Sequence, residues 1–132
     1  DEVNTGTGEV DIFLVENPSG SGKNIRVEQV LISSKDTGRR TFRLYRNAVV
    51  SASGTSLVIN GMKTSQGASV ASAFKSPTIT SKGSLIFGGN FGEGAPLQSL
   101  SVPFIVLPDE NLLITKQSTP DSVFLSLVWI EE

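Results

Sequence analysis

Apolar and polar positions along this chain follow a period of two, and no stretch of a dozen residues holds the i, i+3, i+4, i+7 spacing of an amphipathic helix. Thr41 to Arg46 is the clearest case: Phe42 and Leu44 point to one side of an extended segment, and Thr41, Arg43 and Tyr45 to the other. Ile25 to Ile32 starts the same way, with Ile25 and Val27 opposite Arg26 and Glu28. Val10 to Glu16 is apolar on both faces, which predicts a central strand. The last thirty residues predict three consecutive strands joined by turns at Pro108-Asp109-Glu110-Asn111 and Ser118-Thr119-Pro120-Asp121. In the final strand Val123, Leu125, Leu127 and Trp129 share one parity, so Trp129 is expected to be buried.

Turn signals punctuate the rest. Asn17 to Asn24 is a dense cluster of Asn, Pro, Ser and Gly, and Asp36-Thr37-Gly38 is another turn. Ala48 to Val50 and Ser56 to Ile59, separated by Ser51 to Thr55, have the spacing of a hairpin. Val70 to Phe74 fits a strand or a single helical turn, and Gly88 to Pro96 reads as a glycine-rich loop. Many short strands at spacings near ten residues predict an all-β chain: an antiparallel β-sandwich, jelly-roll-like, with about eight strands and no substantial helix. Residues 1–9, polar with two glycines, are expected to form an extended N-terminal arm, and residues 10–132 a single domain.

The 132 residues suffice for one core that buries roughly two-thirds of the unfolded surface. With 18 Ser, 10 Thr and 13 Gly and a net charge of only −2, no global field draws in nucleic acid or an anionic membrane. Cysteine and histidine are both missing. That excludes disulfides, thiolate chemistry, a Ser-His-Asp triad and the common zinc sites. No apolar run approaches the roughly 20 residues that span a bilayer as a helix. Asp1-Glu2-Val3-Asn4 has neither a basic nor an apolar leader region, so no signal peptide is expected.

Three motifs invite chemistry. Gly20-Ser21-Gly22-Lys23 suggests a phosphate loop, but Asn17 and Asn24 occupy the positions where that motif needs Gly and Ser or Thr, and a strand is expected at Ile25 instead of a helix. Arg39, Arg40, Arg43 and Arg46 place four of eleven basic residues within eight positions, a weak candidate for partner binding. Arg40 and Arg46 share the parity of Phe42 and Leu44, so they are expected to reach around the strand ends. Asp109, Glu110 and Asp121 lie in turns, where carboxylates bond the local backbone. No catalytic, cofactor or metal residue is expected, and no enzyme.

The segments Glu16 to Val30 and Leu107 to Glu132 resemble those that open and close the domain in small β-rich virion proteins of tailed bacteriophages. The resemblance covers roughly residues 10–32 and 103–132. It implies a jelly-roll or similar sandwich that assembles, commonly as a homotrimer, on the exterior of a virion. The expected role is that of a non-enzymatic viral structural protein, a capsid decoration or head-surface protein. Its partners would be itself and other virion proteins such as the major capsid protein, with no nucleic acid and no membrane. The alternative is a tail or baseplate module that binds a receptor or a carbohydrate. Self-assembly has a second motive, because residues 10–32 and 103–130 carry apolar side chains on both strand faces. With no helix to cover the second face, another subunit is the expected cover.

Overall fold

The computed structural model describes residues 9–34, 40–61, 67–91, 98–100, 104–117 and 123–132, and these contain twelve strands and no helix. The long strands are β1 (Glu9–Asn17), β2 (Ile25–Ser34), β3 (Arg40–Arg46), β8 (Ser84–Phe91), β11 (Glu110–Gln117) and β12 (Val123–Glu131). The short ones are β4 (Val49–Ala52), β5 (Thr55–Ser56), β6 (Ser72–Lys75), β7 (Thr78–Ser81), β9 (Gln98–Leu100) and β10 (Phe104–Val106). A six-stranded sheet runs β5-β6-β1-β11-β3-β8. A four-stranded sheet is ordered β10-β2-β12, with β9 also on β2, and β4 and β7 form a separate two-stranded ribbon.

All these pairings are antiparallel, and they nest. β5 pairs β6, β4 pairs β7, β3 pairs β8, β2 pairs β9 and β10, and β1 pairs β11. Nesting of this kind is what a long antiparallel ribbon produces when it rolls up, and the architecture is a jelly-roll-like β-sandwich. The strand count exceeds eight because the ribbon is broken at bulges and short interruptions. β9 and β10 lie along the same side of β2 with pairing registers one residue apart.

Between the two large sheets lies the core. Phe13, Val15, Phe42, Leu44, Leu112 and Ile114 face Ile25, Val27, Val30, Ile32 and Val106. The alternation of β3 holds, with Phe42 and Leu44 inward. The opposite face of the six-stranded sheet is also apolar. Leu14 and Leu113 are fully buried there with Ala48, packed by Val50 and Ile79 of the ribbon and by Tyr45 and Phe74. For β1 and β11 the chain therefore supplies the cover that their two-faced apolarity had assigned to another subunit.

Two local expectations change. Ser51 to Thr55 does not close a hairpin between its flanks, because β4 pairs β7 while β5 pairs β6. Gly88 and Gly89 belong to β8, and Gly88 stands opposite Arg43. Of Val70 to Phe74, residues Ser72 to Phe74 are strand and belong to β6. Glu9 is the first residue of β1, paired with Gln117, and the remainder of the arm lies outside the described residues.

Turn chemistry fixes the corners. Asn17, buried, donates from Nδ2 to the carbonyls of Lys23 (2.8 Å) and Val106 (2.9 Å), and its Oδ1 accepts from Ser21 (2.7 Å). The Pro108-Asp109 turn is closed by Glu110 N–H donating to the Leu107 carbonyl at 3.0 Å. Gly83 sits at φ 78° in the β7–β8 turn, where a Cβ would stand 2.3 Å from the Arg46 carbonyl oxygen. No side chain fits there.

Candidate functional site

The sandwich is open along one side. Among the described residues β12 forms the edge of its sheet there, and a groove of about 870 Å³ separates it from residues 57–61 and 67–69. Phe13 and Ala73 belong to the lining. On the β12 wall every residue from Leu125 to Glu131 lines the groove. Inward-facing and outward-facing residues alternate without a gap in this lining, so the groove follows the backbone edge of the strand and not one of its faces. The far wall, Leu57 to Gly61, continues from β5, held at its start by Leu57 N–H donating to the Ala73 carbonyl at 2.8 Å.

Trp129 lies in this wall. It packs against the margin of the core but stays half-buried, which corrects the expectation of full burial. The reason is position: its parity is inward as expected, but an edge strand has a neighbour on one side only. The indole Nε1 donates to Glu131 Oε1 at 3.4 Å. The same carboxylate accepts from the Ser69 hydroxyl and from Val70 N–H at 3.2 Å. Burial alone would raise the Glu131 pKa, but these donors and the Lys23 charge outweigh it and hold the carboxyl below its ordinary value. Glu131 thus pins residues 69–70 to the end of β12.

A second polar cluster crosses the outer face of the six-stranded sheet. Glu9 Oε1 accepts from Tyr45 Oη (2.8 Å) and Thr115 Oγ1 (2.6 Å), and Arg43 Nη1 lies 3.9 Å away while donating to Gln117 Oε1 at 3.0 Å. Burial, then the hydrogen bond and charge of Glu9, push the Tyr45 hydroxyl up to about 12. Beside it Lys82 Nζ meets Asp11 at 2.7 Å. The cluster binds β1, β11 and β3 together, a structural task.

That cluster redistributes the arginine candidates. Arg43 is only 3% exposed, locked in the network, and so does not offer its guanidinium to a partner. Arg46 is exposed at the end of β3 on the core-side parity, as expected of a residue reaching around the strand end. Arg40 pairs through its backbone with Phe91, and Arg39 lies outside the described residues. No common arginine patch forms from the described side chains. At Lys23 the chain passes directly into β2 at Ile25, where a phosphate loop needs a helix. Asp109 (φ 69°) and Glu110 serve their turn, with Glu110 accepting from Leu107 N–H at 3.2 Å, and Asp121 lies outside the described residues.

Among the described residues, no group of three or more carboxylates is placed to hold a metal ion, and no helix is long and apolar enough to cross a membrane. The groove is the feature that the sequence reading missed. Its signal was present in Val123 to Ile130, eight residues without charge, Gly or Pro. No protein-family model, curated protein or solved structure matches this chain.

Proposed function

We propose that this chain is a non-enzymatic structural protein of a tailed-phage particle, a capsid decoration or head-surface protein that works through protein contacts. What supports this reading is the jelly-roll-like sandwich with its concave feature set along a strand edge, walled by two extended segments. Such a surface offers main-chain hydrogen bonds and apolar contact to another protein. The bacteriophage resemblance of residues 10–32 and 103–132 supplies the virion setting and is the sole support for a trimer. The test is immunogold microscopy of particles banded from a culture that carries the gene. Regular labelling of particle heads is the expected result, and unlabelled particles would sink the proposal.

One observation favours the alternative, a receptor- or carbohydrate-binding tail module. Trp129 is half-exposed in a groove whose polar groups include Asn60, Ser69 and Glu131, and an indole face stacks on sugar rings. Trp129 is the chain's only tryptophan. Its emission therefore reports glycan binding directly: a saturable change with oligosaccharides, lost in Asn60→Ala, would move the assignment to that reading.

A further inference from the structure

We propose that the open edge of β12 pairs with β12 of a second copy, antiparallel about a two-fold axis at Leu127, to join two four-stranded sheets into one of eight. This inference does not depend on the phage reading, and it substitutes a two-fold contact for the trimer that the resemblance implies.

The occupant follows from the chemistry of the edge. Asn24 and Glu132 exchange both main-chain hydrogen bonds at 2.9 Å. In the two-residue alternation of an antiparallel ladder, the N–H and C=O of Glu131 then turn away from β2, as do those of Trp129. Among the described residues no strand pairs with β12 on that side. The bulge in this ladder skips Glu28 on β2, so β12 itself runs without an extra residue. An open row of donors and acceptors in a groove calls for an extended strand, not a helix or a small polar ligand.

Charge selects which strand. Edge strands are normally protected by Lys, Pro or a bulge of their own, and β12 has none from Val123 to Ile130. Among the described residues that line the groove, only Lys23 and Glu131 are charged, both toward one end of it, and Glu131 is already held by Ser69 and Val70. A groove whose carboxylate is already held by hydrogen bonds suits an uncharged strand, and β12 is one from Val123 to Ile130. In the antiparallel arrangement, the acidic end Glu131-Glu132 of each copy lies opposite Val123 of the other. The two acidic ends are then roughly 26 Å apart at the rise of a strand. A parallel arrangement would bring them together. The two-fold is therefore self-complementary. It also brings the two 57–61 walls toward each other, which would cover Val58, an apolar side chain 86% exposed in the single chain.

The test is sedimentation equilibrium of the 132-residue chain at tens of micromolar. The expected mass is twice 14.0 kDa. Ser126 and Val128 face outward, and an axis at Leu127 puts each opposite the other in the partner strand. Ser126→Lys with Val128→Lys then stacks four cations at the dyad, and the mass should halve. Ser126→Lys with Val128→Glu pairs opposite charges across the same dyad, and the dimer should return. Amide hydrogen exchange on the unaltered protein checks the contact without substitution: the Glu131 and Trp129 amides should slow on concentration from the nanomolar to the micromolar range. A monomer at tens of micromolar, a trimer, or a dimer indifferent to the Lys pair with unchanged Trp129 exchange would each overturn the proposal.

Discussion

β11 and β12 are neighbours in sequence and nearly equal in length, yet the less apolar of the two, β11, is the better buried. β11 lies between β1 and β3 and buries five consecutive residues, Leu112 to Lys116. In β12 none of Leu125 to Glu131 is fully buried. Composition alone would reverse the order; neighbours decide it. β11 has a strand on either side, a facing sheet on one face and the β4–β7 ribbon on the other. Among the described residues β12 has one partner strand and one covered face. An apolar residue reports that it seeks cover, and the topology decides whether the cover comes from within the chain.

The largest test of this contrast compares one substitution at two places. Leu113→Ala on β11 removes a fully buried side chain from a site closed by the ribbon, and should cost about 2–5 kcal/mol of unfolding free energy in a urea titration. Leu127→Ala on β12 removes a half-buried one beside an open groove, and should cost about 1–2 kcal/mol. Equal costs would show that β12 is covered in solution, most simply by its own kind.

The same contrast explains what the sequence discloses. Alternation in Thr41 to Arg46 identified the inward Phe42 and Leu44, because side-chain period is a local property. The turns at Asn17 to Asn24 and at Pro108 to Asn111 were legible for the same reason. The ribbon was not, since Val50 and Ile79 are 29 residues apart and their pairing depends on how the whole chain rolls. Nor was the fate of Arg43. Its place opposite Gly88, beside Glu9 and Gln117, joins four distant segments, and no local pattern distinguishes a networked arginine from a solvated one. The groove was hidden likewise, because a strand does not record whether it stands at an edge.

A smaller effect concerns the polar tether that crosses β11. Tyr45 is the chain's only tyrosine, so its phenolate absorbance is a single-site titration. The midpoint should fall near 12. The folded value lies above the ordinary 10.0, so the stabilisation is complete below pH 10 and is lost as pH rises through the interval up to about 12. Tyr45→Phe should abolish that alkaline dependence and cost about 1 kcal/mol at neutral pH, because Thr115 still satisfies Glu9. An ordinary midpoint would mean that the hydroxyl is solvated and the tether open.

The smallest effect belongs to β12, where Glu131 is the counterpart of that tether. Its carboxyl is held below the ordinary 4.5, so the sign is opposite to that of Tyr45. The stabilisation is present above about 4.5 and is lost as pH falls through the depressed folded value. Protonation weakens the hold on Ser69 and Val70, releasing residues 69–70 from the end of β12. Trp129, hydrogen-bonded to the same carboxylate, is the reporter, and its emission should shift at acid pH before global unfolding begins. Glu131→Gln should show the shifted emission already at neutral pH and remove the acid step. It should leave the alkaline Tyr45 titration unmoved, because the two tethers lie on different sheets. A variant that altered both would tie the edge strand to the buried one, and the contrast between them would no longer stand.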